Sequence, residues 1–174
     1  MKNIKTILLS TILIISVNAF SQIIGSVDES GNLQFKGVIE VTNKSNFELS
    51  ECISSSAMIM GIESKTESDG EALDSAFVKG EYSYSYYVDD YGSQAGEVKF
   101  KFEYIIRDGQ INYRFYDFEH KKSESKFASI GLLPKEWNEK VKSSFSKKQY
   151  TEIMTDLKLN VANAIRMINK NCVK

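Results

Sequence analysis

Histidine is almost missing from this chain: His120 is the single one among 174 residues. One imidazole cannot supply a His-based zinc cluster, and any Ser-His-Asp triad would rest on that residue alone. No Gly-x-Ser-x-Gly elbow, phosphate loop or dinucleotide fingerprint accompanies it. With Lys121 and Lys122 beside it, His120 is expected to be a solvated residue at a strand end. Proline also occurs once, as Pro134, within the breaking sequence Gly131-Leu132-Leu133-Pro134. Cysteine is limited to Cys52 and Cys172. As a nucleophile Cys52 would need a depressed pKa, and its Ser-rich, apolar surroundings offer no cationic neighbour in sequence. An even count permits one disulfide in an oxidising compartment, and two buried free thiols are the alternative. A bridge would close a loop of about 120 residues and stabilise the fold by roughly 4–5 kcal/mol in the chain-entropy model. Carboxylates are numerous but form no specific constellation. Asp89-Asp90 before Tyr91-Gly92 misses the spacing that wraps oxygens around calcium, so a polar loop is expected there. The sequence therefore predicts no catalytic residue, no metal ligand and no cofactor.

The first 21 residues have the make-up of a signal peptide. Lys2 and Lys5 form a positive n-region, residues 7–17 are apolar, and Ala19-Phe20-Ser21 puts small residues at a cleavage site before Gln22. The apolar run is too short to span a membrane comfortably, and no later one qualifies. No cysteine stands at the cleavage point for a lipid anchor. The expected address is outside the cytoplasm, periplasmic or secreted. The remaining chain carries 20 basic and 23 acidic residues, unevenly spread: residues 22–97 hold 14 acids against 4 bases, and 121–148 hold 8 bases against 3 acids. Two solvated surfaces that complement each other within the fold account for this. A basic patch for anionic lipid, a glycan or an acidic partner is the sharper reading. No nucleic-acid-binding motif is present, and nucleic acid is not an expected partner.

What is abundant is alternation. Residues 98–107 and 110–120 read as two strands joined by Asp108-Gly109, a pair suited to the positive φ angles of a type I′ turn. That turn sets Arg107 opposite Gln110, Ile106 opposite Ile111, Tyr104 opposite Tyr113 and Phe102 opposite Phe115. The other side pairs Glu103 with Arg114, as a cross-strand ion pair, and Lys101 with Tyr116. Such pairs contribute roughly 0.2–1 kcal/mol each. A slip of one residue would turn the apolar set to water.

Before the hairpin, residues 22–32 are small and polar and are expected to be a flexible mature N-terminus. Residues 33–42 suit a strand with Leu33, Phe35, Ile39 and Val41 inward and Gly37 marking a bulge. Ser45-Asn46-Phe47-Glu48 reads as a capping box opening a helix with Leu49, Cys52, Ile53, Ser56, Ala57 and Met60 at helical spacing, ended by Gly61. Residues 62–67 are a weak strand and 76–88 a stronger one, with Val78, Gly80, Tyr82, Tyr84, Tyr86 and Val88 on one face. The tyrosine row suits a half-buried sheet face, the alternative being a stacking platform. After the hairpin, residues 121–145 read as irregular, with a short helix over 135–144 placing Trp137 and Val141 on one side. Ser146-Lys147-Lys148-Gln149 is a second capping box, flanked by Phe145 and Tyr150 at staple spacing. Its long helix carries Tyr150, Ile153, Met154, Leu157, Val161, Ala164, Ile165, Ile168 and Cys172 on one stripe.

The order β-α-β-β-β-β-α suits a single α+β domain over 33–174, a two-layer antiparallel sheet with both main helices on one face. On Gly37-Val38-Ile39-Glu40-Val41, the helix from Phe47, Val78-Lys79-Gly80 and the hairpin Asp108-Gly109-Gln110-Ile111-Asn112-Tyr113-Arg114, the chain resembles a family of exported Bacteroidota domains of unknown function with a TATA-binding-protein-like (TBP-like) fold. The resemblance implies that fold and an exported address, and no activity or functional residues. A non-catalytic binding or protein-interaction module of the cell envelope is the expected function, its partner an envelope protein or glycan. Its candidate contacts are Lys101, Arg114, Tyr116, Lys121 and Lys122. The alternatives are a small protease inhibitor presenting residues 89–96 and a carboxylate-dependent envelope hydrolase. The hydrolase would need at least two acids in a pocket and a carboxyl of raised pKa.

Overall fold

The protein, seen as a computed structural model, is described over residues 25–59, 63–68, 75–87, 94–122, 129–143 and 145–173. The expected signal peptide, Met60 and Gly61, Val88 and residues 89–93 lie outside these, as do the side chains of Tyr84, Tyr86 and Lys122. The elements run β1 (Ser26–Val27), β2 (Leu33–Glu40), α1 (Asn46–Ile59), β3 (Glu63–Ser68), β4 (Ser75–Tyr87), β5 (Gln94–Arg107), β6 (Gln110–Lys122), β7 (Gly131–Leu132), α2 (Glu139–Lys142) and α3 (Lys147–Ile168), closed by a π-helical turn (Asn169–Val173). One antiparallel sheet runs in the order β1-β2-β6-β5-β4-β3, with β7 also on β6. The alternating residues of β2, β5 and β6 that face α1 and α3 are buried with the helices' apolar stripes in one core. This is the expected two-layer α+β architecture.

The β5–β6 hairpin has the register its turn dictates. Asp108 and Gly109 sit at φ 51° and 73°, and Arg107, Ile106, Tyr104, Phe102, Glu103 and Lys101 face their expected partners. Beyond Lys101 the pairing shifts. Asp117 enters the left-handed region (φ 53°), and Lys99 pairs with Glu119 in place of Phe118. This bulge reverses the alternation, so Phe118 returns to the core beside Phe35 and Phe100, and His120 follows it inward. His120 is therefore not a solvated strand end. It is fully buried, accepts a hydrogen bond at Nδ1 from the Ile130 N–H (3.2 Å), and meets Phe145 edge-on.

Elsewhere the departures are local. The segment expected to be loose contributes β1, and Gln34 ties it down by donating to the Val27 carbonyl. Gly37 marks no bulge: β2 pairs with β6 without interruption from Phe35 to Glu40. The glycine instead lets the Tyr113 ring lie across β2, where a Cβ would collide with the phenol. In the segment expected to be irregular, β7 pairs with Glu119 and His120, and the short helix covers only Glu139–Lys142. Its start is set by Asn138, whose side chain accepts from the Lys140 N–H, so Trp137 lies outside it and donates to the Phe145 carbonyl.

Both capping boxes form. The Ser45 N–H donates to Glu48 at 2.8 Å, and the Ser146 N–H donates to Gln149 at 2.9 Å. Hydrogen bonds from the Ser45 N–H, then from its hydroxyl, hold the Glu48 carboxyl below the usual carboxylate range. Every position of the predicted α3 stripe, from Tyr150 to Cys172, is buried. Cys52 and Cys172 are joined as a disulfide with Cα atoms 5.7 Å apart, tying α1 to the chain's last turn. Lys44 donates to the Cys172 carbonyl (2.6 Å) and Asn171 to the Ser56 hydroxyl (3.2 Å) at the same junction.

Candidate interaction surface

The sheet's second face carries no helix layer among the described residues, and four strands align their outward side chains across it. One row runs Lys36–Arg114–Glu103–Lys79, and the adjacent row runs Val38–Asn112–Ile105–Phe77. The first is charged and the second largely apolar, with Val38 52% exposed. A third row, on the apolar row's other flank, sets Glu40 beside Gln110 and Arg107. An apolar line between polar rows has the organisation of a protein–protein contact, with a dry centre and a wet rim.

Three predicted contact residues, Lys101, Arg114 and Tyr116, are brought together here. Arg114 stacks over the Tyr116 ring (4.5 Å), donates from Nε to Gln34 (2.9 Å) and lies 4.0 Å from Glu103. It is thus held in one geometry before any partner arrives, and Arg and Tyr are the residue types that most often carry interface energy. Lys101 is engaged by Asp117 at 3.0 Å, a hydrogen bond that raises its pKa. Tyr116 is pushed up first by loss of solvent and then by the Glu103 charge. Lys121 is exposed at the far end of β6, opposite Glu97, and Lys122 follows it in the same strand. Lys121 does not join the Arg114 cluster.

Sequence reasoning missed the apolar row. Val38 was legible as the outward residue between Gly37 and Ile39. Its alignment with Ile105 and Phe77 needs the β2–β6 and β4–β5 pairings, which no local pattern supplies. Of the tyrosine row, Tyr82 is the described side chain, half-buried against Phe100 on the helix side.

On that helix side, a pocket of about 230 Å³ opens between aromatic rings of the sheet and α3. Its lining holds no carboxylate. Asp156, one turn before the pocket on α3, is the one carboxyl among the described residues whose pKa is raised, by loss of solvent. No group of three or more His, Cys, Asp or Glu side chains among the described residues could hold a metal ion. No helix among them is long and apolar enough to cross a membrane.

No family profile and no curated protein matches the sequence. Solved structures do match the fold. A TBP-like protein from Parabacteroides distasonis aligns at a TM-score of 0.51 with 11% identity, covering 83% of this chain and 97% of its own. A DUF4468 family protein from Bacteroides ovatus aligns at 0.51 with 11% identity, over 81% and 88% of the two chains. The fold is therefore TBP-like, as the sequence resemblance implied, and identities this low speak to the fold alone.

Proposed function

We propose that this protein is a non-catalytic interaction module acting outside the cytoplasm, and that it binds a protein of the envelope through the open face of its sheet. The observation that carries this reading is the apolar row Val38–Ile105–Phe77 beside an Arg114 already fixed by Tyr116, Gln34 and Glu103. Charged rows flank the apolar one, the arrangement of a dry contact centre within a polar rim. A protein partner suits this face better than a glycan. Sugar stacking needs an open ring face, and the Arg114 guanidinium covers one side of Tyr116. The Cys52–Cys172 disulfide supports an oxidising compartment, and with it export and cleavage before Gln22.

Cross-linking in cells of the native host, with affinity capture and mass spectrometry, tests the surface. The wild-type protein should enrich one envelope protein, and Val38→Asp with Arg114→Ala should lose it while leaving the fold intact. An unchanged profile would place the contact elsewhere, and selective binding on a glycan array would overturn the protein partner. The mass of the purified chain tests export: a start at Gln22 is expected, and a chain with its first 21 residues intact in the cytoplasmic fraction would overturn it.

A further inference from the structure

We propose that Arg114 and Lys36 form a carboxylate-binding site on the open face of the sheet, which the protein partner fills with an aspartate or glutamate side chain. The site rests on the reading of that face as the contact surface, and it fixes which side chain the surface recognises. The two cations stand directly opposite each other on β2 and β6. Like charges at opposite positions of a strand pair destabilise it, so this pairing calls for an anion. The sheet itself supplies little. The Glu103 carboxylate stays 4.0 Å from Arg114 Nη1, beyond hydrogen-bond reach. Lys36 is exposed and has no ionic partner among the described residues. Other cations of the same face are matched at home: Lys99 by Glu81, Lys101 by Asp117 and Arg107 by Asp108, while Lys79 lies over the Phe77 ring. Among the described residues of this face, unmatched positive charge is thus concentrated at Lys36 and Arg114.

Arg114 is built to receive a carboxylate. Its Nε is spent on Gln34 (2.9 Å) and its guanidinium lies over Tyr116. Its two terminal nitrogens make no hydrogen bond among the described residues. Those nitrogens form a fork that matches the two oxygens of a carboxylate, and an anchored guanidinium loses little freedom on binding. Glu103 beside the fork would repel a dianionic phosphate more than a singly charged carboxylate. Val38 stands two residues along β2 from Lys36, so the apolar row runs about 7 Å from the charged one. The partner therefore presents its acid about that far from an apolar side chain seated on the row that Val38 and Ile105 share. In an extended segment, alternate residues have this spacing.

The probes are two capped peptides, acetyl-Ser-Glu-Ser-Leu-Ser-amide and its glutamine counterpart, titrated into isotope-labelled protein. NMR follows the Arg114 Nε–H and the Val38 amide. The glutamate peptide should shift both signals with a Kd on the order of millimolar, and the glutamine peptide should bind about ten-fold more weakly. Lys36→Glu, at an exposed position, should weaken the glutamate peptide about ten-fold by reversing the local charge. Arg114→Lys keeps the charge but loses the fork, and should remove most of the preference for glutamate. Equal binding of the two peptides, or indifference to both substitutions, would overturn the carboxylate site. Binding of phosphatidylglycerol vesicles that Lys36→Glu abolishes, with neither peptide bound, would overturn it in favour of lipid. The cross-linking capture separates the site from the surface that bears it. A partner lost with Val38→Asp but kept with Lys36→Glu would overturn the carboxylate site and leave the open face standing as the contact. A partner kept with both variants would remove the two together.

Discussion

Gly37 and Gly96 carry the same missing methyl group against different neighbours. A Cβ on Gly37 would strike the Tyr113 phenol, the far end of a half-exposed side chain that can swing aside. On Gly96 it would meet the buried His120 ring and, at 2.5 Å, the Lys121 carbonyl in the next strand. Backbone in a paired strand cannot yield so cheaply. Gly96→Ala should cost about 1–3 kcal/mol and Gly37→Ala clearly less, read from urea midpoints. Asp156 offers a pH-dependent test. Burial raises its carboxyl pKa, so the folded state binds the proton more tightly than the unfolded chain. Its penalty is absent below the unfolded pKa and grows as pH rises through the folded one. Asp156→Asn should therefore stabilise the protein at pH 7 and lose that advantage near pH 3, in paired denaturation curves. Equal effects at both values would mean that solvent loss at this carboxyl is not the cause.

The two main helices are held by different means. On α3 the buried stripe is built of large apolar residues, including Ile153, Leu157, Val161 and Ile168, and the Ser146–Gln149 box seals its start. Ser146→Ala should cost about 1 kcal/mol in thermal or urea unfolding. The buried side of α1 has Leu49 and Ile53 but otherwise Ser50, Ser56 and Ala57, which remove little apolar area from water. There the disulfide substitutes for packing. Replacing both cysteines by serine should cost about 2–5 kcal/mol. Hydrogen exchange should locate the loss, with amides of Asn46–Ile59 losing protection before those of α3. Simultaneous loss in both helices would mean that the bridge stabilises the whole domain evenly.

At the scale of the molecule the sheet divides the protein into a packed side and an open one. Phe100, 2% exposed among rings of three strands, should cost about 3–5 kcal/mol when cut to alanine. Val38→Asp on the open face should stay within about 0.5 kcal/mol of the wild type. A large loss at Val38 would mean that the row belongs to the core and not to a contact surface. Much of this plan was legible in the chain. The Asp108-Gly109 turn, both capping boxes and the α3 stripe follow from preferences acting within one to four residues, so sequence alone determined them. Other features needed strands far apart in the chain to meet. Lining up Val38 with Ile105 and Phe77 required β2 to find β6. The Cys52–Cys172 bridge required the chain's last turn to reach α1. Burial of His120 hung on one added residue at Asp117, which reversed the alternation for everything after it. The pocket is what remains where five rings and one helix fail to fill the space between them. Those features were decided only by the tertiary structure, because each depends on distances between segments that no periodicity along the chain encodes.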